Sequence, residues 1–319
     1  MKPEEFNPKH FEPGRKYSCS LVVRPGSPEL DLPVLLVRGR NAGKTLVVFA
    51  GVHGDEYEGV RAILDLYEEL DPGTMSGDFL AISVANPPAF WAASRTSPLD
   101  EKNLARVFPG HPAAAPTDAI AHVLGSALIA RADFFLDLHS AGVKLLMPTM
   151  VGYDANDART REAAMIFGTS VLWAHSYIPP GRTISFAREH NIPWLYTEAR
   201  GAGRIHPDDL RLFKQGIRNL LQHLSILPGI PPQQRIEIHL DGGGNIDESL
   251  LATRRGILIP EVEFLQSVTK GETLGRLVNL HGETLEVVQA PRDGVVALIR
   301  QCITVETGDP MFLVAGKLN

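Results

Sequence analysis

The sequence predicts an α/β fold, a mostly parallel mixed sheet flanked by helices, with a smaller C-terminal all-β domain. Three observations carry this. Short apolar β-type runs alternate with helical patterns from about Ser18 to Gln222, which is the pattern of helices packed on both faces of a sheet. Pro228, Gly229, Pro231 and Pro232 then cluster. Beyond them only short β runs follow, punctuated by Gly271, Gly282, Gly294 and Gly308. The domain boundaries read as 1–228, a linker over 229–235, and 236–319.

Taken in order, Leu21–Arg24 and Leu32–Val37 read as strands. Thr45–Ala50 is a continuous apolar run ending at Gly51, as in a buried strand. In Glu58–Leu70 the apolar residues Val60, Ile63, Leu64, Leu66, Tyr67 and Leu70 follow helical spacing, and Asp71-Pro72-Gly73 stops it. Phe79–Val84 is the next strand. Thr117 is read as the N-cap of a helix over Asp118–Arg131. Asp133–Leu138 is a strand, Asp157–Trp173 a helix, Pro193–Thr197 a strand and Pro207–Leu224 a helix. The C-terminal strands are Arg235–Leu240, Gly256–Ile259, Leu274–Val278, Thr284–Val288, Val295–Ile299 and Met311–Val314. Asp241-Gly242-Gly243-Gly244-Asn245 lacks the Lys-Ser/Thr ending of a phosphate-binding loop and reads as a turn.

Composition narrows the function. A formal net charge of −6 gives no basic excess for neutralising phosphates, so nucleic acid is not an expected partner. No apolar run is long enough to span a bilayer, and the polar N-terminus shows no secretory pattern, so a cytoplasmic protein without membrane association is expected. Cys19 and Cys302 offer neither a disulfide framework nor a Cys-type metal site.

The chemistry concentrates in Gly51-Val52-His53-Gly54-Asp55-Glu56-Tyr57-Glu58-Gly59, between a buried strand and a helix. Imidazole and carboxylate are good zinc ligands, and a glycine-rich turn lets His53 and Glu56 point into one cavity. A third ligand, His139, ends another strand in Asp137-Leu138-His139-Ser140. Two histidines and one glutamate leave a fourth position for water, as hydrolysis requires. Asp137 either orients a ligand or, by strand alternation, points the same way as His139. A histidine after a strand is more often simply hydrogen-bonded. The zinc reading, one ion per chain, gains from the placement of both segments at strand ends. The other histidines show no metal spacing and read as ordinary.

Five motifs in order resemble the succinylglutamate desuccinylase/aspartoacylase family of the zinc carboxypeptidase-like superfamily. They are Gly51-Val52-His53-Gly54-Asp55-Glu56, Asn86-Pro87-Pro88-Ala89-Phe90, Asn103-Leu104-Ala105-Arg106-Val107-Phe108-Pro109-Gly110, Asp137-Leu138-His139-Ser140 and Thr197-Glu198-Ala199-Arg200-Gly201. The resemblance implies that His53, Glu56 and His139 hold zinc, that Glu198 is the catalytic glutamate, and that Arg106 contacts the substrate and polarises the scissile carbonyl. It implies substrate contacts for Arg95, Asn103 and Arg188. The family usually has a second Asn where this chain has Ala105. Losing that contact to a substrate carboxylate costs about 1–3 kcal/mol if its partner stays buried, which argues against a plain aspartate-type substrate. The implied mechanism has Glu198 take a proton from a zinc-activated water and return it to the leaving amine.

The function expected is zinc-dependent hydrolysis of the amide in a small N-acyl amino acid or N-acyl diamine. The alternatives are a carboxypeptidase-like metallopeptidase and a non-catalytic metal-binding module. A homodimer or higher homo-oligomer is expected from the family and the β domain. Val268–Glu272 and Ala290–Val296 resemble biotinyl/lipoyl-like sandwiches without a modification lysine at the hairpin tip, so no attached group is expected.

Overall fold

A computed structural model describes residues 1–24, 29–242 and 246–318; the turn expected at 241–245 falls partly outside them. The strands and helices of the first part are β1 Arg15–Val23, β2 Leu30–Arg38, β3 Asn41–Phe49, α1 Glu58–Glu69, β4 Ser76–Ile82, α2 Pro87–Trp91, α3 Pro116–Val123 and β5 Phe134–Leu138. They continue as β6 Leu145–Leu146, β7 Met150–Asp154, α4 Ala158–Phe167, β8 Val171–His175, α5 Thr183–Glu189, β9 Trp194–Glu198 and α6 Pro207–His223. The C-terminal part holds β10 Ile238–Asp241, β11 Leu250–Leu251, β12 Gly256–Pro260, β13 Ser267–Val268, β14 Thr273–Val278, β15 Thr284–Gln289, β16 Gly294–Arg300, β17 Thr304–Val305 and β18 Pro310–Lys317.

One large mixed sheet runs β1-β2-β4-β3-β5-β9-β7-β8-β10-β18-β16-β13, and a separate antiparallel sheet runs β15-β14-β12-β17. The centre of the large sheet is parallel: β3 pairs with β4 and β5, and β5 with β9. The strands β3, β5 and β9 therefore end on the same edge, where α/β sheets assemble ligand sites. Helices α1, α4 and α6 cover one face, burying Ile63, Leu66, Phe167, Phe213 and Leu220. Helices α3 and α5 cover the other with Ile120, Val123, Ile184 and Phe186. The C-terminal strands pack another apolar cluster onto the first part, joining Leu298 and Leu313 to Ala141, Leu145, Met147 and Trp173. Strand β10 pairs in parallel with β8 and antiparallel with β18, so the sheet is continuous between the two parts.

Three local expectations are corrected. The helix expected over Asp157–Trp173 ends at Phe167; Gly168 takes a φ of +122°, and β8 follows. Helical spacing cannot separate a helix from the apolar run Val171-Leu172-Trp173, which enters the sheet as a fully buried strand. Thr117 is not an N-cap: the helix starts at Pro116, and Thr117 lies in its first turn. Asp100 reaches over instead, accepting from the Thr117 backbone N–H at 2.9 Å and from its hydroxyl at 2.7 Å. The helix expected to reach Arg131 gives way after Val123 to a π turn and then a 3-10 turn.

Gly152 on β7 faces Tyr196 on β9. A Cβ there would lie 1.9 Å from Tyr196 Cε1, so the tyrosine ring crosses β7 only because glycine leaves the space. Gly152→Ala is expected to cost about 1–3 kcal/mol through overpacking, read as a lower urea midpoint; an unchanged midpoint would show that the ring has room to move.

Candidate active site

Three strand ends supply the site. The glycine turn after β3 carries His53 and Glu56, the end of β5 carries Asp137 and His139, and the end of β9 carries Tyr196 and Glu198. In a strand, residues two apart share a face, so Asp137 sides with His139 and Tyr196 with Glu198. Gly54 lies so tightly against the Ala89 backbone that a Cβ would meet its carbonyl carbon at 2.0 Å. The turn can therefore fold back only with glycine at that position.

Glu56 is the point of convergence. Its Oε1 meets His53 Nδ1 at 2.7 Å and its Oε2 meets His139 Nδ1 at 2.8 Å. Arg95 Nη1 donates to Oε1 at 3.2 Å, and the Ser140 backbone N–H to Oε2 at 3.2 Å. One ligand atom each from His53, Glu56 and His139 lies within 4.8 Å of the others. The far imidazole nitrogens are anchored: His53 Nε2 on Asn103 Oδ1 at 3.1 Å, and His139 Nε2 on Asp137 Oδ2 at 3.0 Å. Thr183 donates to Asp137 in turn. Metal-ligating histidines are oriented in this way. The buried Glu198 Oε2 beside the cluster has no hydrogen-bond partner among the described residues. On the donor set, its inward-facing Nδ1 atoms and this orphaned oxygen, the residues fit a divalent ion that prefers nitrogen and oxygen.

The charges follow from burial. Desolvation, helped by Arg95, holds the His53 imidazole down at about 4, so it is neutral, as a ligand must be. Burial pushes Glu56 up, but His53 and His139 outweigh it and hold the carboxyl below its ordinary value. Burial likewise opposes charge on His139, yet Asp137 and Glu56 raise it well above the ordinary histidine value. Glu198 is raised to about 8, first by burial and then by the Glu56 charge. A cation placed among the ligands would reverse these last two shifts.

His53, His139, Arg95, Arg106 and Glu198 line one cavity with Ala105, Arg182, Tyr196 and His175. Arg106 donates to Asp247 of the C-terminal part from Nε at 3.2 Å and Nη2 at 3.1 Å. Asn103 stands behind His53 and caps the Ala105 N–H at 2.9 Å, rather than facing the cavity. Arg188 is not a cavity residue: it sits near the C-terminal end of α5 and its Nε pairs with Asp154 at 3.2 Å. Arg182, at the N-cap of the same helix, is the arginine that lines the cavity. The two arginines thus stand at opposite ends of α5, and only Arg182 is at the cavity.

His175 and Tyr196 were missed. The His175 Nδ1–H donates to the Gly242 carbonyl at 2.8 Å, and its Nε2 lies 2.8 Å from the Tyr196 hydroxyl. Burial lowers His175 to about 4 and raises Tyr196 well above its ordinary value. The imidazole is thus neutral and the phenol protonated, and the Tyr196 O–H donates to Nε2. No spacing in the sequence marks this pair.

The fold is that of solved proteins in one class of deacylating hydrolase. A succinylglutamate desuccinylase/aspartoacylase from Rhodobacter sphaeroides superposes with a TM-score of 0.84 at 28% identity, covering 95% of this chain and 96% of that one. The product-bound ectoine utilization protein EutE (DoeB) from Ruegeria pomeroyi gives 0.86 at 26% identity, covering 94% and 95%. The N-alpha-acetyl-L-2,4-diaminobutyric acid deacetylase of Halomonas elongata is 30% identical over 295 residues, 89% of this chain and 85% of that protein. Residues 42–224 match the succinylglutamate desuccinylase/aspartoacylase catalytic domain. The chain belongs to the succinylglutamate desuccinylase/aspartoacylase family.

Two outcomes are expected of the site. Asn103→Ala frees the far nitrogen of His53 and should weaken metal binding about 10–100-fold, measured by chelator competition; unchanged affinity would remove the anchoring role. In the metal-free protein, Glu198 holds its proton more tightly folded than unfolded. Between its ordinary value and about 8, stability therefore falls as pH rises. The difference in urea stability between wild type and Glu198→Gln, measured with chelator, should decline across that window, whereas a flat difference would mean the carboxyl is unperturbed.

Proposed function

We propose that the protein is a zinc-dependent deacylase that hydrolyses the amide of a small N-acyl amino acid or N-acyl diamino compound, releasing a carboxylate and a free amine. The observation that carries this is the His53–Glu56–His139 cluster with the unpartnered Glu198 oxygen in the same cavity. The relationship to a deacetylase of an acetylated diamino acid supports it. The His2Glu set suits zinc among divalent ions.

Zinc, when bound, supplies a Lewis acid that polarises the acyl carbonyl and acidifies a water. Glu198 takes the proton of the attacking water and delivers it to the amide nitrogen as the C–N bond breaks. Arg106 stabilises the charge that develops on the carbonyl oxygen. Arg182 offers a half-buried guanidinium to a substrate carboxylate, a task for which Ala105 has no side-chain donor.

The cavity volume is about 100 Å³, below the roughly 300–1,000 Å³ of sites for drug-sized ligands. Leu298 and Leu313 of the C-terminal part are among the side chains that line it. Both features favour a small amide over a peptide. We propose further that residues 1–228 form the catalytic unit and 236–319 its cap. The expected partners are the small substrate and further copies of the chain, in a cytoplasmic setting. No helix among the described residues is long and apolar enough to cross a membrane.

The experiment is amine release from N-acetyl, N-succinyl and N-formyl amino acids and diamines. Glu198→Gln should keep its metal and lose about 10²–10⁴-fold in kcat. Retention of most activity would overturn the role of Glu198, and release from none of these compounds would overturn the deacylase reading.

A further inference from the structure

The cavity holds a polar pair that the mechanism above does not use. Tyr196 lies two residues before Glu198 on β9, and both line the cavity. Its ring crosses β7 at Gly152, and its hydroxyl reaches His175 on β8 at 2.8 Å. The direction of the hydrogen bonds is fixed by chemistry. The Gly242 carbonyl can only accept, so His175 Nδ1 carries the hydrogen in their 2.8 Å contact. A neutral imidazole then has a bare Nε2, which can only accept, so the phenol donates to it. The Tyr196 proton is committed away from the substrate. The phenol oxygen keeps its lone pairs for a group that donates.

We propose that Tyr196, held by His175, is a specificity-determining residue whose oxygen accepts a hydrogen bond from a primary ammonium on the amine half of the substrate. The substrate class is then an N-acylated diamino acid rather than a simple N-acyl amino acid. This rests on the deacylase reading of the same site. Three further features agree with a cationic group there. The Glu198 carboxyl projects from the same face of β9, adding an acidic neighbour. The Asp247 carboxylate engages Arg106 at 3.1 and 3.2 Å, offsetting one of the cavity's guanidinium charges. The Tyr196 and His175 rings, both lining the cavity, lie 5.4 Å apart, so the oxygen is carried on a pair of aromatic rings at the cavity wall. Aromatic faces attract cations and leave anions without a partner. Arg182 remains to take the carboxylate of the same amino acid.

His175 acts through Tyr196 and is a positioning residue. Without its bare nitrogen the phenol proton is free to turn into the cavity, where it would meet an ammonium donor to donor.

The test is calorimetric binding of two products to the zinc-loaded protein: 2,4-diaminobutyric acid, which has the second ammonium, and 2-aminobutyric acid, which lacks it. Wild type should bind the diamino acid more tightly. Tyr196→Phe keeps the ring over Gly152 and should weaken diamino acid binding about tenfold or more, the scale of one hydrogen bond to a charged group, while moving the comparator less than about twofold. His175→Leu should act in the same direction although the phenol is intact. Unchanged diamino acid affinity in Tyr196→Phe, an equal loss for both ligands, or no preference in wild type would overturn the proposal. Failure of the deacylase reading looks different: wild type would bind the diamino acid selectively yet release no amine from its N-acetyl derivative.

Discussion

The buried carboxylate of Glu56 is the interaction on which the rest of the site depends. The Nδ1 atoms of His53 and His139 meet it, one on each oxygen, and Arg95 and the Ser140 backbone donate hydrogen bonds to it. A carboxylate this deeply buried is tolerable only with such partners. The partners come from the turn after β3, the end of β5 and the loop carrying Arg95. The parallel pairing of β3 with β5 is therefore what makes the cluster. The outer anchors, Asn103 and Asp137, then keep each imidazole turned inward.

Around that cluster the chain arranges charge rather than bulk. His53 is kept neutral by burial, and the Glu198 carboxyl lies beside the cluster with a buried oxygen that no group among the described residues satisfies. Buried polar groups are nearly always paired, so an orphan of this kind at a cluster of ligands marks where a ligand or reactant belongs. The C-terminal strands contribute on two levels. Leu298 and Leu313 line the cavity, and Asp247 pairs with Arg106 from the other part of the chain.

The sequence made the His53–Glu56–His139 cluster legible because each of its members sits in a short motif at a strand end. His53 and Glu56 share one turn, and Asp137 lies two residues from His139 on one face. Strand β9 and helix α1 were legible for the same reason, as periodic segments bounded by turns. What the sequence concealed depends on strands that meet only in space. Tyr196 and His175 touch because β9, β7 and β8 lie side by side and Gly152 leaves the middle strand bare. Neither residue has a neighbour in the sequence that announces the other. Arg182 was hidden because the short helix α5 was not recognised, and the Arg106–Asp247 contact joins residues from opposite ends of the chain. The apolar run of β8 continues the helical spacing of α4 in the sequence, and only the positive φ of Gly168 separates the two elements.

The central claim is that His53, Glu56 and His139 hold a metal that the chemistry requires. The most direct measurement is elemental analysis of the purified protein, paired with the same analysis of Glu56→Ala. The account predicts about one zinc per wild-type chain and almost none in the variant, with amine release lost on chelation and restored by zinc. A wild-type protein that carries no metal and hydrolyses N-acyl substrates at full rate in the presence of chelator would contradict it.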